Sequence, residues 1–176
     1  GTLDPKATGL MLICTGKKTK ALNDLLGCDK EYEGLMIIGE KTKSFDSETE
    51  VYEKIDTAHV TREMLDKAVS ELSGEISQIP PMYSAIKHKG KPLYKMARKG
   101  EEIERAPRTV SIKEFELTSV NREEIGFRVH CSKGTYIRSL VSDFGDKLGT
   151  GAYLKELRRT KIGEFDIKDS LDVEDF

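Results

Sequence analysis

Between Val110 and Leu148 the apolar residues change period, and that change constrains the fold more than any other stretch of the chain. Ile125, Phe127, Val129 and Cys131 alternate with Gly126, Arg128 and His130, the two-residue period of a strand with one buried face. Val110 to Val120 reads as a second strand, separated from the first by a short polar stretch, and the two are expected to pair antiparallel. After Ser132-Lys133-Gly134 the spacing lengthens: Ile137, Leu140, Val141, Phe144 and Leu148 recur at helical intervals. Thr135 is the expected cap of that helix, and Gly149 its stop.

The rest of the chain supplies shorter elements of the same mixed kind. Leu10 to Thr15 is a short apolar run ended by Gly16 and reads as a buried strand; Lys18 to Leu26 reads as a helix closed by Gly27. Tyr32 to Ile38 is a third strand. Thr61 can cap a helix whose face carries Met64, Leu65, Ala68, Val69 and Leu72. Ile79-Pro80-Pro81 breaks the pattern, and a short helix from about Pro92 stops at Gly100. Hairpin-like neighbours without regular βαβ units predict an α+β fold, a mixed and largely antiparallel sheet with flanking helices. No repeat or Pro/Gly/Ser linker divides residues 1–176, so one domain is expected. A chain of 176 residues buries about 70% of the surface its unfolded form exposes, enough for a deep site.

The formal net charge of −2 weighs against a polyanion partner, because affinity for nucleic acid normally comes from a basic surface. The distribution reverses that reading. From Tyr83 to Lys113 the basic residues Lys87, Lys89, Lys91, Lys95, Arg98, Lys99, Arg105, Arg108 and Lys113 outnumber Glu101, Glu102 and Glu104, and the acidic stretch from Glu164 to Asp175 largely cancels this segment in the total. The three cysteines lack C-x-x-C spacing, and Cys14 and Cys131 in their apolar surroundings read as buried thiols of an intracellular protein. His59, His88 and His130 lie too far from a second thiol to form a zinc knuckle, so no metal is expected. There is no transmembrane-length apolar run and no secretory or transit segment, which predicts a cytoplasmic protein, or an organellar one whose transit segment has been removed. Nothing in the sequence signals assembly, and a monomer is the simplest expectation.

Two motifs carry chemistry. In Gly1-Thr2-Leu3-Asp4-Pro5-Lys6-Ala7-Thr8-Gly9 the proline biases Asp4 into an extended or turn conformation, whether as an ordinary turn initiator or as a catalytic acid. In His130-Cys131-Ser132-Lys133-Gly134-Thr135-Tyr136-Ile137-Arg138 a strand turns into a helix, whose first N–H groups can hold an anion. The Lys-Gly-Thr order lacks the upstream glycine and the G-K-[ST] order of a P-loop, which excludes nucleotide hydrolysis.

The first motif together with Asp29-Lys30-Glu31-Tyr32, Pro80-Pro81-Met82-Tyr83-Ser84-Ala85-Ile86-Lys87, Cys131-Ser132-Lys133-Gly134-Thr135-Tyr136-Ile137-Arg138 and Leu157-Arg158-Arg159 resembles, in order, the signature of the TruB family of tRNA pseudouridine synthases, of the bacterial and organellar type. The resemblance covers essentially the whole chain. It implies a pseudouridine synthase-like catalytic domain that isomerises the T-loop uridine of tRNA at conventional position 55. It further implies Asp4 as the catalytic aspartate, Tyr32 as the tyrosine that stacks on the target base and Arg138 as the arginine paired with the aspartate. Tyr136 and Leu157 match pocket-lining positions, and Lys20 matches a lysine beside the site. A mobile basic insertion over about residues 82–108 would close on the T-arm stem-loop. The family's T-x-T-x-D segment stands here as Thr42-Lys43-Ser44-Phe45-Asp46. Measured against the family pattern, the chain reads as truncated at its N-terminus and as lacking a C-terminal RNA-binding appendage.

These residue types suit the reaction. Pseudouridine formation breaks the N1–C1′ bond, turns the uracil and rejoins it through C5, and a carboxylate can attack covalently or withdraw a proton from C2′ in a glycal route; the sequence leaves both open. No redox change occurs, so no cofactor is implied. Two other classes compete: a non-catalytic RNA-binding or tRNA-chaperone module, motivated by the basic segment, and a glycoside-cleaving hydrolase, which lacks a convincing second acid.

Overall fold

A computed structural model describes residues 1–175. In chain order the elements are β1 (Thr8–Gly9), α1 (Leu22–Gly27), β2 (Lys30–Ile38), β3 (Glu40–Thr42), β4 (Val51–Lys54), α2 (Arg62–Glu71), β5 (Gly74–Gln78), β6 (Lys87–His88), β7 (Lys91–Pro92), α3 (Leu93–Ala97), β8 (Arg108–Asn121), β9 (Glu124–Cys131), α4 (Ile137–Leu148), β10 (Ala152–Ile162) and β11 (Phe165–Asp166). The main sheet runs in the order β1-β10-β2-β9-β8-β5, with β11 also on β10. All its pairings are antiparallel except β1 with β10. The expected α+β class with a largely antiparallel sheet and flanking helices is the fold observed.

One face of the sheet is apolar and covered by helices. Ile125, Phe127, Val129 and Cys131 all point into the core, as their alternation predicts, and meet Met36 and Ile38 from β2. Leu65, Ala68 and Leu72 from α2, and Leu140, Val141, Phe144 and Leu148 from α4, close over them. Phe144 stacks edge-on against Phe115 with ring centroids 5.9 Å apart, near the separation aromatic pairs prefer. The opposite face is tiled by charge: Arg128 reaches Glu31 at 3.1 Å, Glu114 at 2.8 Å and Glu116 at 3.2 Å across three neighbouring strands. Such cross-strand pairs satisfy the sheet without a second helical layer.

β10 is the long strand that the apolar pattern does not announce. Opposite β2 it pairs Leu154 with Met36, then Glu156 with Leu35, so Lys155 is an extra residue bulged out of register. A bulge of one residue exchanges the two faces. Before it Ala152 and Leu154 point into the core; after it Leu157 and Arg159 take that face, Arg159 only 2% exposed. A second shift between Arg159 and Lys161 turns Ile162 back inward.

Several expectations change at the margins. Leu10 to Thr15 forms no strand: pairing stops at Gly9, Leu10 makes one further bond to Arg159, and Met11 and Ile13 are 50% and 73% exposed. The cause is occupancy, since the next stretch of that edge of β10, Lys161–Ile162, is already paired with β11. Lys18 to Leu26 divides into a 3-10 turn over Gly16–Ala21 and the short α1. Thr61 does cap α2, accepting from the Met64 N–H at 3.2 Å. Thr135 does not cap α4; its hydroxyl donates back to the Ser132 carbonyl at 2.8 Å, and Tyr136 is the residue at the helix entry. Cys131 is buried, which raises its thiol to about 11, but Cys14 is only partly covered because the strand expected around it is absent.

The outer side of α4 carries Asp143, whose carboxyl is raised from 3.8 to about 6 by burial and, secondarily, by the nearby Asp146 charge. Between those values the native state holds a proton that the unfolded chain has released, so its contribution to stability is present in acid and is lost as pH rises through that window. Asp143→Asn is expected to remove this loss. Urea unfolding at about pH 4 and about pH 7 checks it: the variant gains on the parent between the two, and parallel curves would refute the assignment.

Candidate active site

Asp4 lies just before β1, and the turn that holds it is closed by a 2.9 Å bond from the Ala7 N–H to the Asp4 carbonyl. The segment is fastened from behind by Arg159, which the bulge in β10 turned inward. Its Nε donates to the Leu10 carbonyl at 2.8 Å and its Nη2 to the Gly1 carbonyl at 3.0 Å. Gly9 is what permits this approach. Its φ of +108° suits glycine, and a Cβ there would sit 2.2 Å from the Arg159 carbonyl oxygen.

Facing Asp4 is Arg138, the second residue of α4, at 3% exposure. Its Nε donates to Asp4 Oδ2 at 2.9 Å and its Nη2 to Asp4 Oδ1 at 2.8 Å, a two-point fork that fixes the carboxylate in orientation as well as charge. The Arg138 Nη1 donates to the Ser44 carbonyl at 3.3 Å, and Asp46 Oδ2 lies 3.6 Å from Nε. Asp46 is itself held by the Ser44 hydroxyl at 2.6 Å and the Glu48 N–H at 2.8 Å. The guanidinium is thus shared between two carboxylates, one buried and one facing the cleft: the Asp46 side chain is 11% exposed and that of Asp4 38%.

The cleft above this pair has a volume of about 460 Å³. Tyr32 from β2, Tyr136 from the entry to α4 and Leu157 from β10 line it with Asp4 and Arg138. Burial raises the Tyr32 phenol above its ordinary value, which keeps it a neutral ring rather than a phenolate beside Asp4. Tyr83, Tyr94 and Arg98 enter from the basic segment, where the Arg98 guanidinium sits 5.5 Å from the Tyr94 ring centre and 3.1 Å from Glu48. Lys20 is exposed in the 3-10 turn with Lys17 and Lys18 and is not among the residues lining the cleft. Among the described residues no group of His, Cys, Asp and Glu is arranged to hold a metal.

Asp46 and Gln78 were not singled out by sequence reasoning. Asp46 lies in a polar loop remote in sequence from both motifs, and its signal was the T-x-T-x-D spacing already noted. Arg159 appeared as the last residue of a motif without a role.

The chain matches two family models. Residues 1–137 match the TruB family pseudouridylate synthase (N terminal domain), and residues 138–176 match the tRNA pseudouridylate synthase B C-terminal domain. The chain belongs to the TruB family. It is 51% identical over 173 residues to tRNA pseudouridine synthase B of Flavobacterium johnsoniae, covering 98% of this chain and 76% of that one. With tRNA pseudouridine synthase B of Chloroherpeton thalassium the identity is 47%, covering 99% and 73%. Among solved structures it resembles a chain of a Cbf5-Nop10-Gar1 complex, with a TM-score of 0.70 and 32% identity over 94% of this chain and 40% of the other. A similar match, with a TM-score of 0.66 and 28% identity, is to an H/ACA RNP bound to a substrate RNA containing 2'-deoxyuridine. As a TruB-family protein the chain is an isomerase of the class that turns uridine in RNA into pseudouridine. The two family models meet at the start of α4, yet α4 packs on β10 and β10 lies between β1 and β2, so the sheet and the cleft both draw on residues from either side of that division.

The shared guanidinium makes a stability prediction. Arg138→Met leaves the buried Asp46 carboxylate without its cation and is expected to cost about 3 kcal/mol. Asp4→Asn leaves Arg138 paired with Asp46 and is expected to cost less than half of that. Urea denaturation of the two variants tests the order, and equal losses would contradict the shared arrangement.

Proposed function

We propose that this chain converts the T-loop uridine of tRNA at conventional position 55 to pseudouridine, with Asp4 as the catalytic carboxylate. The observation that carries this reading is the forked Arg138–Asp4 pair at the base of an aromatic-lined cleft. Arg138 holds the two oxygens of Asp4 by a fork, so the carboxylate meets an electron-poor sugar already oriented. The reaction breaks N1–C1′, forms C5–C1′, moves a proton onto N1 and releases the one on C5, with no change in oxidation state. Asp4 serves it by attacking covalently or by taking a proton from C2′ and returning it.

A uridine stacked in a folded loop is out of reach, so it must be flipped into the cleft. Tyr32 offers the face on which the extruded uracil stacks, an interaction worth about 1–3 kcal/mol per base, with Tyr136 and Leu157 closing the other sides. The basic segment between about residues 82 and 108, which contributes Tyr83, Tyr94 and Arg98 to the rim, closes on the T-arm stem-loop. Lys20, outside the cleft with Lys17 and Lys18, takes phosphates of the stem rather than the target base. The protein acts as a monomer within the cell, where its tRNA substrate resides, and needs no cofactor.

Asp4→Asn is expected to yield no pseudouridine from an unmodified T-arm while binding it within about threefold of the parent, because an amide keeps the shape and loses the reacting charge. Product, which has the same mass as uridine, is read by a chemical label that adds mass at pseudouridine, and binding by fluorescence anisotropy. Full activity of the variant would sink the role of Asp4. Tight, salt-dependent binding by the parent chain with no product would instead favour an RNA-binding module.

A further inference from the structure

The backbone that carries Arg138 is held in place by a residue from the far edge of the sheet. Gln78 ends β5 at 1% exposure, and both ends of its amide are spent on one residue. Its Nε2 donates to the Tyr136 carbonyl at 3.1 Å, and its Oε1 accepts from the Tyr136 N–H at 3.0 Å. Tyr136 stands at the entry to α4 in an extended conformation, and no side chain caps the helix there, Thr135 having turned back to Ser132. One residue on from Gln78 and three on from Tyr136, the Ser139 hydroxyl donates to the Ile79 carbonyl at 2.8 Å. Arg138 lies between these two ties.

We infer that Gln78 is a positioning residue for the Asp4–Arg138 pair, acting through a two-point clamp on the Tyr136 backbone; this rests on the reaction proposed above. The clamp sets both the starting point and the rotation of the first turn of α4, and the rotation decides where the Arg138 side chain points. It also places the Tyr136 ring in the cleft. Because Ile79, Pro80 and Pro81 follow and lead into Tyr83 and Ser84 on the cleft wall, the clamp joins the root of the basic segment to the arginine. A displacement of the carboxylate by about 1 Å is enough to cost about a hundredfold in rate.

Two substitutions test the clamp on the full chain with an unmodified tRNA T-arm. Gln78→Met keeps the length and loses both hydrogen bonds. Its single-turnover rate at saturating RNA is expected to fall by about 10- to 100-fold, with the half-saturating RNA concentration within about threefold of the parent. Gln78→Glu matches the amide when protonated, one oxygen accepting and the hydroxyl donating, but when ionised it turns an oxygen against the Tyr136 carbonyl. Burial raises such a carboxyl, so the Gln78→Glu rate is expected to approach the parent in acid and to fall as pH rises, along a titration that the parent lacks. A residue that merely supports the fold would move melting temperature and leave the rate per folded molecule unchanged.

The Arg138 Nε–H resonance provides a readout without turnover. It is expected to shift in Gln78→Met and in ionised Gln78→Glu, and to return in protonated Gln78→Glu. Rates per folded molecule equal to the parent at every pH, or an unmoved resonance in Gln78→Met and in ionised Gln78→Glu, would overturn the inference. Should Gln78→Met fail to fold, the pH series of Gln78→Glu decides alone. A parent chain that makes no pseudouridine refutes the proposed reaction, and the resonance then still decides whether Gln78 places Arg138.

Discussion

A guanidinium withdrawn from water must find acceptors for its N–H groups, and in this protein that requirement gathers the site. Arg138 reaches the turn before β1 through Asp4, and the loop after β3 through the Ser44 carbonyl and Asp46. Each of those segments is an irregular stretch with little apolar surface of its own. What brings them to one point is the cost of burying a charge unpaired, which exceeds what any of them could gain by packing alone. The cleft is therefore less a gap left between elements than a consequence of where a buried cation could be satisfied.

The strength of the site depends on parts that are rigid for other reasons. α4 lies against the sheet through Leu140, Val141, Phe144 and Leu148, all at most 2% exposed, so Arg138 extends from a helix whose axis is already fixed. Gly145 allows that closeness: a Cβ there would fall 2.1 Å from the Gly151 carbonyl carbon. At the other side of the cleft Tyr32 and Arg159 are register partners on adjacent strands. Of the residues lining the cleft, Arg138 thus stands on a helix, Tyr136 at its entry and Tyr32 and Leu157 on two strands, while Asp4 comes from a loop that is fastened at Gly1 and Leu10 by Arg159.

Periodic segments were legible in the sequence, and segments governed by distant partners were not. The alternation from Ile125 to Cys131 and the helical spacing from Ile137 to Leu148 gave both elements and their buried faces, because one face of each meets a continuous core. Thr135 was misread as a cap because capping rules see only local donors; the carbonyl of Ser132 and the amide of Gln78 competed for the same positions. Leu10 to Thr15 looks like a strand by composition, but whether an edge is free to accept it is decided by β11, more than a hundred residues away. β10 went unseen since its charged run Lys155-Glu156-Leu157-Arg158-Arg159 hides any alternation that a bulge has already broken. Of the candidate site, Asp4, Tyr32, Tyr136, Arg138 and Leu157 converge on one cleft, whereas Lys20 is exposed outside its lining.

The extra residue in β10 has a consequence for how such a chain can change over time. Substitutions along this strand act one at a time, but a change of length acts on everything up to the next irregularity. Loss of Lys155 itself would leave a regular ladder in which Leu157 still meets Gly34 and Arg159 still meets Tyr32, so both would keep their face. Loss of Arg158 would be absorbed by the second irregularity instead, and Arg159 would then stand opposite Glu33 on the charged face, away from Gly1 and Leu10. The same one-residue change is therefore harmless to the cleft at one point of the strand and, three residues on, releases the anchor of the Asp4 segment while leaving the sheet intact.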